Sequence, residues 1–567
     1  MMSKRRKKNR TFSGTSDIAP EDIFLDSSNL PEFNRSQFEG RIERPISKFS
    51  LILLSSIFIL VGAGFLYKLG VLQIKNGEAY AKLSEENRLQ HSYLFADRGL
   101  IYDRNGVELA WNTPNETGDF ARRSYTSLEG HSHLLGFVRY PAKDTHGFYY
   151  QEEYLGADGI ELALNAELSG KNGLKIIETN AVGDFISHNT IRLPEEGESV
   201  QLTIDSRVQN QLYKIMFRLA SERGFTGGAG GIMDVNTGEL IAFVSFPEFS
   251  SEVLSNATNT ALISSYQNDS QGTPFLNRMT DGLYTPGSIV KPFMALGALQ
   301  EEVITPQKTI YSSGRLVVPN PYNPDLPSVF TDWKAHGSVD MQRAIAVSSN
   351  IYFYQIGGGF ESQEGLGIER IEKYMRMFGF GRPVSFLSSE SKAGVIPSPE
   401  WKAQVFNDDP WRLGDTYFTS IGQYGFQVTP IQGLRAISAI ANKGTLLTPR
   451  LVKGEVTPEN SKEIPIAENH FDVVSEGMRQ GVLYGTVSGI NVPYVSVAGK
   501  TGTAEIGSQK KLVNSWTIGF FPFEEPRYAF TILMERGPQS NLIGATAVAR
   551  ELFDWMREHT PEYFLLD

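Results

Sequence analysis

The chain carries the segment Tyr284-Thr285-Pro286-Gly287-Ser288-Ile289-Val290-Lys291. A helix beginning at Pro286-Gly287 places Ser288 and Lys291 at i and i+3, on one face of its first turn. A serine hydroxyl is a weak nucleophile until a base takes its proton. A lysine serves as that base once burial or a neighbouring cation lowers its pKa. The helix N-terminus adds backbone N–H groups aimed at whatever the serine attacks. Alone, the spacing is weak: S-x-x-K recurs at Ser389–Lys392 and Ser508–Lys511, in segments that read as polar surface.

Two more elements follow along the chain. Ser348-Ser349-Asn350 has the form S-x-N, which also occurs at Ser27 and Ser187. Its ordinary meaning is a helix N-cap or a turn. Lys500-Thr501-Gly502 occurs once. A glycine there suits a strand that lets a ligand approach its backbone, although a plain glycine bulge reads the same way. Order and setting carry more weight than any one match. The first element opens a helix, the second sits in a helical stretch, and the third lies on a strand.

The surrounding pattern supplies those settings. Val200–Ile204 reads as a strand, and Val208, Leu212, Ile215, Met216 and Leu219 recur at helical spacing. Gly231–Val235 and Leu240–Phe246 read as strands joined through Asn236-Thr237-Gly238. Three more strand-like runs come late, at Val497–Glu505, Leu512–Phe520 and Tyr528–Glu535. A last amphipathic helix carries Val548, Leu552 and Trp555 on one face. Between the β groups, from about Gly287 to Asn442, the pattern is mostly helical. The fold class is therefore α+β: an antiparallel sheet with flanking helices and an inserted helical subdomain.

Nearer the N-terminus, the nineteen residues from Phe49 to Tyr67 contain no charge. As a helix they span about 28 Å, close to the thickness of a bilayer's hydrocarbon core. Upstream lie Lys4, Arg5, Arg6, Lys7, Lys8 and Arg10, then Arg41, Arg44 and Lys48. This basic bias places the N-terminus in the cytoplasm and the body outside. The segment reads as a retained single-pass signal anchor at 49–68, behind a cytoplasmic tail at 1–48. Residues 69–200 read as an irregular, β-rich pedestal, whose start at Leu69–Gln90 extends the anchor helix. Residues 201–567 form the domain that holds the three elements.

Composition excludes several chemistries. The chain has no cysteine, so disulfides, thiolate nucleophiles and Cys-ligated metals are ruled out. Its eight histidines are scattered, with no His-Glu-x-x-His pair, and His131 and His133 read as loop residues. No metal or other cofactor is expected. G-x-S-x-G is missing. The net charge is −11; residues 1–48 contribute +3, which leaves −14 on the remainder. Such an acidic body repels a phosphate backbone, so nucleic acid is excluded as a partner.

The three elements in this order resemble the signature of penicillin-binding proteins and β-lactamases. The match extends to other segments and is similar to class B penicillin-binding proteins. Arg98-Gly99-Leu100-Ile101-Tyr102-Asp103-Arg104-Asn105-Gly106 resembles the family's pedestal opening, and Gly159-Ile160-Glu161 a second pedestal element. Thr203-Ile204-Asp205 resembles the entry to the transpeptidase domain, Asn277-Arg278 the approach to its nucleophile, and Lys500-Thr501-Gly502-Thr503-Ala504-Glu505 its third motif. Tyr352-Phe353-Tyr354, and Trp411 followed by Gly414-Asp415-Thr416, resemble the cell-elongation branch. Two departures stand out. Ser420-Ile421-Gly422-Gln423-Tyr424-Gly425 carries Tyr424 as an extra residue, and Asn350 stands where elongation members often have Asp.

The resemblance implies a penicillin-sensitive D,D-transpeptidase that cross-links peptidoglycan stem peptides. Ser288 would attack the D-Ala–D-Ala carbonyl and Lys291 would take its proton. Ser348 would relay a proton to the leaving D-Ala. Asn350 would orient Lys291 and hold the substrate amide. Lys500, as a cation, would keep Lys291 neutral and attract the terminal carboxylate, which Thr501 and Thr503 would bind. Gly502 would let the substrate approach the strand. The N–H groups of Ser288 and Thr503 would form the oxyanion hole. Implied partners are stem peptides, β-lactams as covalent inhibitors, the lipid bilayer, and a membrane glycan polymerase of the shape and elongation machinery. Between anchor and transpeptidase there is too little chain for a glycosyltransferase domain. A D,D-carboxypeptidase or β-lactamase of the same fold stays open, as does a β-lactam sensor or inactive scaffold. A sensor would need more than the short polar tail, and a scaffold would tend to lose the nucleophile or a lysine.

Overall fold

A computed structural model describes residues 47–565, apart from 81–88, 117, 180–184, 321, 322, 324, 387, 388, 455, 508 and 510. The basic run and almost all of the tail at 1–48 lie outside the described residues. The chain divides into two units, Met1–Arg88 and Leu89–Asp567.

In the first unit, helix α1 spans Lys48–Gly70 and continues as a π-helical turn, Val71–Lys75. The Ser47 hydroxyl caps it by accepting from Ser50 N at 3.0 Å. The Ser56 hydroxyl donates back to Ile52 O at 2.7 Å, which satisfies that polar group on an apolar helix. The run Lys48–Lys75 is long and apolar enough to cross a membrane. Helical structure reaches Tyr80. Leu89 and Gln90, expected to extend this helix, instead begin a strand: β1 spans Leu89–Leu94.

The second unit opens with small sheets. Strands β2 (Ile101–Tyr102), β3 (Glu108–Thr113) and β4 (Arg122–Tyr125) are antiparallel neighbours. β1 pairs with β5 (Gly173–Thr179), which pairs with β6 (Phe185–Arg192). β7 (Val200–Gln201) then lies parallel to β2. The two pedestal segments singled out from the sequence meet in the core. Glu161 accepts from Arg98 Nε at 2.5 Å and from Arg123 Nε at 2.7 Å, and all three side chains are fully buried. A lone buried carboxylate or guanidinium would be costly; here each charge has a partner. Asp103 folds the Arg104-Asn105-Gly106 turn by accepting from Asn105 N and Val107 N, both at 2.8 Å. The same carboxylate accepts from Ser206 Oγ at 2.7 Å, which ties this turn to the start of the next helix.

That helix, α2, spans Ser206–Arg223 and is capped by Asp205. Strands β8 (Gly227–Asp234) and β9 (Leu240–Phe246) follow as a hairpin. With β10 (Ala498–Ile506), β11 (Leu512–Phe521) and β12 (Tyr528–Pro538) they form a five-stranded antiparallel sheet, ordered β9-β8-β12-β11-β10. Successive side chains point to opposite faces, so the sheet divides two cores. Ile232, Val244 and Ile532 pack with α2 and the terminal helix Ala545–His559. Met233, Phe243 and Leu533 pack with the helical stretch. β8 begins earlier than its apolar pattern suggests, because its first half is glycine-rich. A Cβ on Gly230 would sit 3.0 Å from Leu212, and one on Gly231 3.0 Å from Leu434. Small residues there let helices close on both faces.

The inserted stretch holds α3 (Lys291–Gln300), α4 (Met341–Ala346), α5 (Asn350–Gly358), α6 (Leu413–Ser420) and α7 (Pro430–Ala441), besides shorter helices. It also contains short hairpins, including Arg315–Val318 with Ser328–Thr331. Further along, α8 (Glu468–Leu483) packs beside α4.

Candidate active site

Ser288 lies in a 3-10 turn, Gly287–Val290, that leads directly into α3. In a 3-10 turn residues i and i+3 eclipse, so Ser288 and Lys291 stand one above the other more closely than an α-helical turn would place them. Ser288 is half-buried, whereas Lys291 is fully buried. The turn is held from three sides. Trp516 Nε1 on β11 donates to Thr285 O at 3.0 Å. Gly287 N donates to Gly422 O at 3.0 Å. The edge strand β10 runs so close that a Cβ on Gly502 would come within 2.7 Å of Pro286 O.

Gly422 is equally constrained. Its φ is +74°, and a Cβ there would come within 2.2 Å of Gly287 O. Gly422→Ala must therefore displace the backbone beside Ser288. A misplacement of about 1 Å at a reacting atom reduces rate roughly 10²-fold, and penicillin acylation of the variant should fall on that scale. Stopped-flow acylation of wild type and variant checks this. The extra Tyr424 does not pull this loop off the Ser288 turn. Its backbone takes a left-handed φ of 62°, and its ring turns away among Trp401, Phe406 and Trp411. The Trp411 and Gly414-Asp415-Thr416 motif is scaffold for the same loop. Asp415 accepts from the buried Lys402 Nζ at 2.7 Å, and Trp411 Nε1 donates to Thr416 at 2.8 Å.

The remaining elements converge behind Ser288. Lys291 Nζ lies 2.7 Å from Ser348 O, 2.7 Å from Asn350 Oδ1 and 3.2 Å from Ser348 Oγ. Lys500 Nζ donates to Ser348 Oγ and to Thr501 O, both at 2.9 Å. Ser348 thus sits between two buried lysines, in a left-handed conformation with φ +57°. Phe353 places its ring 5.4 Å from Lys291 Nζ. Thr501 donates its hydroxyl to Thr486 Oγ1 at 2.8 Å, while Thr503 on the same strand is exposed.

Burial pushes Lys291 down from the ordinary lysine range to about 7, against an opposing pull from Asp332. Burial and the charge of Lys291 push Lys500 well below its usual range. Two ammonium groups bridged by one hydroxyl cannot both stay charged in a dry site, so the pair tends towards a single shared proton. A neutral Lys291 has two hydrogens, and two carbonyl oxygens stand ready to accept them. Its lone pair is left for a hydroxyl, as a general base requires.

The competing motif matches do not assemble. Lys392 and Lys511 are exposed, as is Ser187; Ser27 and Ser508 lie outside the described residues. Asp332 and Thr486 belong to this cluster although no sequence motif marks them.

The family model described as the penicillin-binding protein transpeptidase domain matches residues 228–554. That of the penicillin-binding protein dimerisation domain matches 116–202. The peptidoglycan D,D-transpeptidase MrdA of Haemophilus influenzae is 30% identical over 479 residues, 78% of this chain and 70% of its own length. MrdA of Escherichia coli K12 is 26% identical over 615 residues, 89% of this chain and 93% of its own. A chain of the complex between Penicillin-Binding Protein (PBP2) and MreC from Helicobacter pylori superposes with TM-score 0.69 at 26% identity, covering 83% of this chain and 99% of that one. Pseudomonas aeruginosa PBP2 in complex with WCK 5153 gives 0.68 at 28%, covering 84% and 98%. The transpeptidase match alone takes in more than half of the residues, and the chain belongs to the penicillin-binding protein transpeptidase family as a class B member.

Proposed function

We propose that this chain cross-links peptidoglycan stem peptides as a serine D,D-transpeptidase of cell elongation, through an acyl-enzyme on Ser288. The observation that carries the reading is the pair of buried lysines joined through Ser348 Oγ behind the Ser288 turn.

The steps follow from that arrangement. A donor peptide's terminal carboxylate approaches Lys500 and draws the shared proton there, with Thr501 and Thr503 as hydroxyl partners. Lys291 is then neutral and takes the Ser288 proton as Oγ bonds to the penultimate D-Ala carbonyl carbon. The N–H groups of Ser288 and Thr503 receive the developing oxyanion. The intermediate collapses, the C–N bond to the terminal D-Ala breaks, and Ser348 passes that amine a proton originating on Lys291. Asn350 orients Lys291 and the substrate amide. An amine from a second stem peptide attacks the ester, its proton leaves through Lys291, and Ser288 is restored. A β-lactam follows the first half and remains on Ser288. Gly502 keeps the edge strand bare enough for the substrate to lie against it.

The division of labour runs 1–48 tail, 49–68 anchor, 69–200 pedestal and 201–567 transpeptidase, with the tail cytoplasmic and the enzyme outside a bacterial cell membrane. The Helicobacter pylori relative forms a complex with MreC. A shape-machinery partner of that kind, and a membrane glycan polymerase, fit this chain as well.

Acylation by penicillin should rise with pH through about 7, where Lys291 loses its proton. The function is tested by incubating the full-length protein with a D-Ala–D-Ala donor peptide and an amine acceptor. Cross-linked product supports transpeptidation, whereas hydrolysis alone points to a carboxypeptidase.

A further inference from the structure

We propose that Asp332 is a positioning residue of this site: through the 348–351 turn it holds Ser348 and Asn350 in place, and its buried carboxylate is the negative charge set across that turn from Lys291. The inference rests on the acyl-enzyme reading above.

The Asp332 side chain is completely buried. Its Oδ2 accepts from Ser312 Oγ at 3.2 Å, Ser349 Oγ at 2.9 Å and Ile351 N at 3.1 Å. Its Oδ1 accepts from Trp333 N at 2.9 Å. One carboxylate thereby ties together the strand at Ile310–Ser312, its own loop and the N-terminus of α5. Ser349 is the N-cap of α5 and Ile351 lies in its first turn, where the helix dipole favours a negative charge.

The turn it grips is the strained one. Between the end of α4 at Ala346 and the start of α5 at Asn350, Ser348 adopts φ +57°. A non-glycine residue stays there only when its surroundings over-determine it. Asp332 fixes the residues just beyond Ser348, and Lys291 holds Ser348 O itself at 2.7 Å. Loss of Asp332 releases the restraint on the backbone just beyond Ser348, while the two lysines still reach its hydroxyl.

Its charge acts alongside. Burial lowers the proton affinity of both lysines, and Asp332 opposes that at Lys291. The other groups around the carboxylate do not cancel it. His336 Nε2 lies 3.7 Å from Oδ1, and burial lowers its pKa, which keeps the ring neutral. The Tyr354 hydroxyl is pushed up by burial and by Asp332 and stays protonated. Lys334 sits on the same loop, stacked over Trp333. The carboxylate stands across the turn from Lys291: Asp332 binds Ser349 and Ile351, and Lys291 binds Asn350 between them. Without the negative charge Lys291 loses its proton at lower pH.

The test is the pH profile of the penicillin acylation rate constant, split into binding and acylation steps, for wild type, Asp332→Asn, Asp332→Glu and Ser349→Ala. Asp332→Asn should move the acid limb to lower pH by about half a unit or more, with a reduced plateau. Asp332→Glu and Ser349→Ala keep the charge and should lower the plateau with the midpoint unmoved. An Asp332→Asn limb that coincides with wild type overturns the proposal, however large the rate loss. If Asp332→Asn does not fold, Asp332→Glu decides: a midpoint kept supports the charge role, and a midpoint lowered overturns it. A wild type that is not acylated at Ser288 would instead sink the acyl-enzyme reading, so the two failures are distinguishable.

Discussion

Lys291→Met is expected to slow penicillin acylation by about 10²- to 10⁴-fold near neutral pH, the range that general bases contribute. Methionine reproduces the lysine side chain out to Cε and suits a fully buried position, so the fold should survive. Asn350 Oδ1 and Ser348 O lose their donor, but the second lysine still reaches Ser348 Oγ. The residual rate should no longer rise through pH 7, because the group that titrates there has gone. Stability supplies a second readout. In the folded protein Lys291 releases its proton at about 7, whereas the unfolded chain keeps it up to the ordinary lysine range. Between those limits the unfolded state binds more protons, so this residue makes stability rise with pH. Lys291→Met removes that contribution, and denaturant titrations across the window should show a flatter slope. A variant acylated at the wild-type rate would remove Lys291 from the mechanism.

Glu161→Ala should be the most damaging change in the pedestal. It strips the carboxylate from between Arg98 and Arg123 and leaves both guanidiniums buried without a counter-charge. Breaking a buried ion pair from one side costs about 3–5 kcal/mol. Glu161→Gln keeps the volume and one acceptor and should cost less. Arg98 Nη2 also donates to Glu161 O, a contact that neither change removes. Calorimetry should therefore rank wild type above Glu161→Gln and Glu161→Ala last. Protein that stays folded should still take up penicillin, since none of the three side chains contributes to the cluster around Ser288. Equal melting of all three would show that the triad does not hold the pedestal together.

Much of this architecture is readable from pattern. The helix at 206–223 and the late strands have strong periods and appear within a few residues of their expected bounds. The apolar pattern starts β8 late because Gly227 and Gly228 carry no hydrophobic signal, although they pair with Glu535 and Met534 of β12. By local pattern Leu89 and Gln90 read as the end of a helix. Their strand is set by β5, more than eighty residues away, and local propensity is silent about such a partner. In the site, Ser288, Lys291, Ser348, Asn350 and Lys500 lie on motifs that sequence order could rank. Asp332 and Thr486 lie on none. Each reaches the site through a tertiary contact, Asp332 to Ser349 and Thr486 to Thr501, and no spacing along the chain encodes either.

The central claim is that one hydroxyl, that of Ser288, becomes acylated. Full-length wild type and Ser288→Ala should be treated with penicillin, weighed intact, and mapped peptide by peptide in a mass spectrometer. Wild type should gain one penicilloyl group, on the peptide containing Ser288. Ser288→Ala should melt like wild type and gain none. An adduct of equal occupancy on Ser288→Ala, or one mapped in wild type to Ser348 or Ser389, would contradict the account.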